Sequence, residues 1–118
     1  ILAFEMLEAY RAMPYLKKGG KMIVNNQKIN PMPVIIGATE YPENTGDKLR
    51  EKIDLTEVEA LEIGKEAGNS KAVNVVLIGV MAKNTDIAYE KWVETIKTTV
   101  PEKFLDVNLK AFEMGYNL

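Results

Sequence analysis

The stretch Ile1-Leu2-Ala3-Phe4-Glu5-Met6-Leu7-Glu8-Ala9-Tyr10-Arg11-Ala12-Met13-Pro14-Tyr15-Leu16-Lys17-Lys18-Gly19-Gly20-Lys21-Met22-Ile23-Val24 decides the fold. Ile1–Phe4 is a short apolar run with no turn or cap before it, and it reads as the end of a buried strand whose beginning is missing. Met6, Leu7, Tyr10, Met13 and Leu16 recur at helical spacing, which predicts an amphipathic helix from Glu5 to Leu16. Pro14 falls near its end, where a ring without an N–H stops or kinks a helix. Lys17 and Lys18 complement the partial negative charge at a helix C-terminus, and Gly19-Gly20 supplies the turn. Met22-Ile23-Val24 is fully apolar, as expected of a strand buried on both faces of a parallel sheet. Strand, helix, glycine turn and strand make a βαβ unit with a right-handed crossover.

Downstream, Asn25 to Pro33 is polar and carries prolines. It leaves the carboxyl end of the second strand, where open α/β sheets meet ligands and partners. Val34-Ile35-Ile36 is expected to be a further short strand, at an edge because of Pro33. Thr39–Gly46 reads as a loop, and Ile53–Leu55 as a short strand at the end of an ambiguous stretch. Thr56 and Glu59 fit a T-x-x-E capping box before a helix containing Val58, Leu61 and Ile63, with Gly68 at its C′ position. Ser70 is placed to cap Lys71–Lys83. The apolar run Val75–Met81 fits a strand by propensity, and a helix by length and cap. Asp86 is placed to cap a helix with Tyr89, Trp92, Val93, Ile96 and Val100 on one face. Pro101 suits the first position of a final helix, striped by Phe104, Leu105, Leu109 and Phe112 and ended by Gly115. No repeat, linker or low-complexity tract interrupts this order.

Composition narrows the function. With 118 residues, 47% hydrophobic and 27% charged, the chain is one small globular domain or a piece of a larger one. A net charge of -2 argues against a nucleic-acid surface, which needs basic residues to neutralise phosphates. No apolar run approaches the ~20 residues of a membrane span. There is no Cys, which removes disulfides, thiol nucleophiles and thiolate-held zinc or iron–sulfur sites. There is no His, which removes Ser–His–Asp and Cys–His catalysis and the commonest metal ligand. The lack of Cys also fits a cytoplasmic location.

The residue types that remain give no complete active site. Gly19-Gly20 is a turn, since no G-x-G-x-x-G or G-x-x-x-x-G-K-[ST] occurs. Glu57, Glu59 and Glu62 fit the dipole at a helix start better than a carboxylate centre. Trp92 lies on an apolar stripe and reads as core, and Lys17, Lys18 and Lys21 as a solvated rim. Asn25-Asn26-Gln27 is the one polar cluster in a telling place. Its amides can orient a ligand, bridge a subunit or shape a turn, but cannot serve as general acid or base. Asn74 interrupts an apolar run and is expected to be buried and hydrogen-bonded to backbone or to a partner chain.

Several runs bear a resemblance in their order and spacing. Ala3-Phe4-Glu5, Leu7-Glu8-Ala9 and Pro14-Tyr15-Leu16-Lys17-Lys18-Gly19-Gly20 are similar to the middle of the gamma-type domain of 2-oxoacid:ferredoxin oxidoreductases. Ile23-Val24-Asn25, Gln27, Ile29, Pro31-Met32-Pro33-Val34, Gly37 and Tyr41-Pro42 resemble its indolepyruvate type, the beta subunit in particular. Ala67-Gly68-Asn69, Ala72, Asn74-Val75-Val76-Leu77, Val100-Pro101, Lys103-Phe104 and Asn108-Leu109-Lys110-Ala111-Phe112-Glu113 continue it nearly end to end. The resemblance implies a Rossmann-like three-layer α/β domain with a mostly parallel sheet and a helical C-terminal part. Residues 1–118 would be one partial domain whose N-terminal half, with a G-x-G-G-Q-G segment, is absent. It also implies a buried helix after Asn69.

By the same resemblance, the enzyme oxidatively decarboxylates aryl pyruvates to acyl-CoA and CO2 and passes electrons to ferredoxin. Thiamine diphosphate, iron–sulfur clusters and the CoA site belong with a partner alpha subunit, and this chain, inactive alone, binds none of these cofactors and supports that subunit. Asn25, Asn26 and Gln27, with Asn69 and Asn74, are the candidates to face partner or substrate. A class I S-adenosylmethionine-dependent methyltransferase fragment is an alternative, because its helix also leads through L-K-x-G-G into an apolar strand. A non-enzymatic α/β interaction module is another. A domain cut open on one face should expose apolar surface and self-associate.

Overall fold

Leu2–Ala3 (β1) and Lys21–Asn25 (β2) pair in parallel, Leu2 opposite Ile23 and Ala3 opposite Val24, as the βαβ pattern requires. The connecting helix is Met6–Ala12 (α1). Glu5 begins it in an extended conformation and accepts from the Glu8 N–H, which satisfies one of the first-turn donors. Pro14 ends it through a tighter turn at Met13–Tyr15. The computed structural model describes all 118 residues, and the helix, turn and strand of the first 25 follow the sequence pattern closely.

A third strand, Asp54–Val58 (β3), lies parallel to β2 on its other side, giving the order β1-β2-β3. β2 is therefore central, and Met22, Ile23, Val24 and Asn25 are all buried. Two helices stand between β2 and β3: Met32–Ile35 (α2) and Thr45–Lys52 (α3). The core joins Ala3, Met22 and Val24 of the sheet to Met6 and Ala9 of α1 and Leu49 of α3. These elements form one compact unit, Ile1–Val58.

The second unit, Glu59–Leu118, is all helix: Ala60–Ala67 (α4), Val73–Lys83 (α5), Tyr89–Thr99 (α6) and Leu105–Tyr116 (α7). Its core is built from Val76, Leu77 and Val80 of α5 with Ala111 and Phe112 of α7. Phe112 is ringed by Tyr89, Trp92 and Tyr116, with centroids 5.7, 6.4 and 6.0 Å away. Trp92 is thus part of an aromatic cluster.

Several local expectations are corrected. Val34-Ile35-Ile36 is not a strand. Pro31 and Pro33 sit at the cap and first turn of α2, where a missing N–H is harmless, and the chain turns helical. Thr56 does not cap a helix, because it lies in β3 opposite Ile23; α4 starts after Glu59 without a side-chain cap. Sheet pairing overrides the local capping pattern. Ser70 does not cap α5. The Asn69 side chain accepts from the Lys71 N–H and starts a short turn at Ser70–Ala72 instead. Asp86 does not cap α6, whose first flanking residue is Ala88. Pro101 precedes a separate turn at Glu102–Phe104, and α7 runs one residue past Gly115. Lys71–Lys83 resolves as a helix from Val73, against its strand propensity.

Candidate functional site

Three polar side chains converge at the carboxyl ends of β1 and β2. Asn25 ends β2 and is 2% exposed. Its Nδ2 donates to the Phe4 carbonyl at 3.3 Å and to Gln27 Oε1 at 2.9 Å. The Met6 N–H donates to the Gln27 carbonyl at 3.0 Å, and the Asn26 N–H to the Val58 carbonyl at 2.8 Å. The polar run thus stitches the exits of all three strands together. This satisfies backbone groups that a buried strand end would otherwise leave unpaired.

Glu5 is the second centre of this site, and sequence reasoning missed it. It is 7% exposed, and its carboxylate receives three donors. Oε2 accepts from the Glu8 N–H at 3.1 Å, and Oε1 from the Ile29 N–H at 3.1 Å and the Tyr41 hydroxyl at 2.5 Å. One side chain therefore anchors a helix start and both ends of the segment from Ile29 to Tyr41. The available signal was its place just before the first apolar residue of a helical pattern, a capping position.

The segment held by Glu5 is apolar and outward-facing. Ile29, Met32, Ile35 and Ile36 are 55%, 66%, 65% and 69% exposed. Asn25, Asn26 and Gln27 lie at the root of this segment; Asn25 donates to the Gln27 side chain, and Asn26 is exposed and also has a partner. Asn69 and Asn74 belong to the second unit. Asn69 caps a turn and borders a small cavity with Phe104 and Val107. Asn74 is not buried as expected: a helix in place of a strand moves it off the stripe of Val76, Leu77 and Val80, and it is exposed.

Chemically, this centre positions chain rather than moving protons. Burial, the hydrogen bond to Glu5 and that carboxylate's charge push the Tyr41 phenol above its ordinary value of 10. A raised phenol pKa means the neutral form is favoured in the fold. Its contribution to stability is complete below pH ~10 and is lost as pH rises beyond that. The expected result is that wild type loses stability above pH ~10 more steeply than Tyr41→Phe, measured by urea unfolding across pH 8 to 11. Parallel slopes would show that Tyr41 is not held by Glu5. No group of three or more Asp or Glu side chains is placed to hold a metal ion.

The family profile described as pyruvate ferredoxin/flavodoxin oxidoreductase matches residues 1–118. The chain belongs to the pyruvate ferredoxin/flavodoxin oxidoreductase family. Among curated relatives, it is 37% identical over 123 residues to the indolepyruvate oxidoreductase subunit IorB of Thermococcus kodakarensis, covering 98% of this chain and 60% of that protein. It is 38% identical over 121 residues to the subunit of the same name from Pyrococcus horikoshii, with the same shares covered. The chain thus spans about 60% of the length of these relatives. The α/β fold is that of the gamma subunit of a keto/oxoacid ferredoxin oxidoreductase from Geobacter sulfurreducens, with a TM-score of 0.71 at 24% identity, covering 98% of this chain and 60% of that one. Membership of the pyruvate ferredoxin/flavodoxin oxidoreductase family across the whole chain sets the methyltransferase alternative aside. No helix of this family member is long and apolar enough to cross a membrane.

Proposed function

We propose that the full-length protein is a subunit of a ferredoxin-dependent 2-oxoacid oxidoreductase of the indolepyruvate type. The observation that carries this reading is the 37–38% identity to two subunits named for indolepyruvate oxidoreductase, over 98% of this chain. The reaction is oxidative decarboxylation. The carboxylate of an aryl pyruvate leaves as CO2, the remaining acyl group is joined to the thiol of CoA, and an electron pair passes to ferredoxin.

The residues of this chain do not fit the redox groups. Without Cys or His it offers neither thiolate nor imidazole to an iron–sulfur cluster. We assign the clusters, the thiamine diphosphate and the CoA site to a partner alpha subunit, and to this chain the role of supporting it. The apolar segment from Ile29 to Ile36 suits that contact, because exposed apolar patches rimmed by polar groups mark protein interfaces. Asn25, Asn26 and Gln27 form its root, so the cluster supports the interface from below. Residues 1–118 are read as one partial gamma-type domain, and in isolation their exposed apolar segment would drive self-association.

The test is affinity purification of the tagged, full-length protein from its own anaerobic lysate. The eluate is assayed for viologen reduction dependent on both indolepyruvate and CoA. The expected result is activity together with a co-purifying chain that carries thiamine diphosphate and clusters. A clean purification without that chain or activity would overturn the reading and favour a non-enzymatic interaction module.

A further inference from the structure

The structure assigns a docking groove for an acidic polypeptide segment to the amino ends of β2 and β3. This inference does not depend on the subunit reading above. The groove, about 530 Å³, runs between the turn after α1 and the end of α3. Its floor is apolar: Met13, Leu16 and Ile53 are half-buried there against the core. Lys17, Lys18 and Lys52 stand exposed along it. Lys17 and Lys18 follow the turn that closes α1, and Lys52 ends α3. Helix C-termini favour cations, which accounts for the residue type at each place.

The charge pairing of the first unit singles these three out. Among its Lys and Arg side chains, Arg11, Lys21 and Arg50 each hold a carboxylate, and Lys28 and Lys48 lie over the rings of Tyr41 and Tyr10. The side chains of Lys17, Lys18 and Lys52 alone have no ion pair, hydrogen bond or ring contact, and all three line the one groove. The neighbouring carboxylates are largely taken: Asp54 pairs with Lys21 at 3.8 Å, and Asp47 and Glu57 pair with Arg50. Glu51 is the one unpaired anion on the groove. Charges of one sign gathered in a cleft raise the local concentration of the opposite charge. The floor then selects the kind of anion. An isolated oxyanion would leave most of the volume empty, and Met13, Leu16 and Ile53 offer it no donor. A segment of Asp and Glu residues around one apolar side chain matches both the charged rim and the apolar floor.

The test is fluorescence anisotropy of a short labelled peptide, Asp and Glu residues around one Leu, titrated with the full-length protein at low ionic strength. Saturable binding is expected. It should weaken about tenfold in Lys17→Gln/Lys18→Gln/Lys52→Gln, the combined size of three exposed ion pairs. These side chains are exposed and unpaired, so folding is not at risk. Added salt should weaken binding, and Glu51→Gln should tighten it. The equally exposed lysines of the second unit serve as the control: Lys71→Gln/Lys97→Gln/Lys110→Gln should leave binding unchanged. An equal loss in that control would reveal non-specific attraction and overturn the proposal. A peptide with Ser in place of Leu should bind more weakly. Equal binding of the two peptides, with displacement by tripolyphosphate, would assign the groove to a small anion and overturn the polypeptide assignment. Absence of binding at millimolar peptide also overturns it.

Discussion

Gly115→Ala is expected to destabilise the chain by about 3 kcal/mol, the upper end for overpacking. A Cβ on Gly115 would collide with the carbonyl oxygen of Val76, and the next nearest atoms are also Val76 backbone. Gly79 makes the reciprocal approach, its Cβ position overlapping the Phe112 carbonyl oxygen, with the Tyr116 nitrogen 2.8 Å away. Each of α5 and α7 thus presents a bare backbone patch to the other. A side chain in this position cannot rotate away from backbone, so relief requires the helices to separate. Separation loosens Val76, Leu77 and Phe112, all fully buried. Urea unfolding of wild type, Gly79→Ala, Gly115→Ala and the double variant checks this. The double variant should cost less than the sum, because one separation relieves both clashes. A loss below ~1 kcal/mol for Gly115→Ala would mean that the helices slide freely.

Glu5→Ala is expected to cost about 2–4 kcal/mol and to release the segment from Ile29 to Tyr41. The substitution strands the Glu8 N–H, the Ile29 N–H and the Tyr41 hydroxyl together. Hydrogen bonds to a carboxylate are stronger than neutral ones, and the donors left behind are partly shielded from water. Glu5→Gln keeps an acceptor in the same position and should lose less. Hydrogen exchange of peptides covering residues 26–41 reads the local effect. Protection should fall in Glu5→Ala and hold mostly in Glu5→Gln. Unchanged exchange in Glu5→Ala would show that the segment is held by other contacts.

The parts of the molecule legible in the sequence are those where local pattern and tertiary demand agree. Met6 to Leu16 repeats at helical spacing and then meets Pro14 and two glycines, so helix, turn and strand follow from period alone. Val34 to Ile36 misleads because β-branched propensity competes with the two prolines before it, and the prolines win. Thr56 misleads because its parallel partner, Ile23, lies far away in sequence, where no local pattern can reveal it. Asn74 misleads for a related reason: its exposure depends on whether the run around it is helix or strand, which an unbroken apolar stretch leaves open. At the site, Asn25 and Gln27 were visible as polar residues after a strand. Glu5 was not, since its long-range partners, Ile29 and Tyr41, are joined to it only by the fold.

The parallel order β1-β2-β3 also has a kinetic meaning. Leu2 pairs with Ile23 and Lys21 with Asp54, so each ladder joins positions more than twenty residues apart. No hairpin is available to nucleate the sheet. A long loop must close before the first ladder bond can form, and the chain entropy spent on that closure is recovered only afterwards. In the helical segment from Glu59 onward, each helix can begin from bonds four residues apart. The sheet is therefore the slow part of this chain to assemble. Until it closes, the apolar run Met22-Ile23-Val24 is the stretch most in need of protection from its neighbours in a crowded solution.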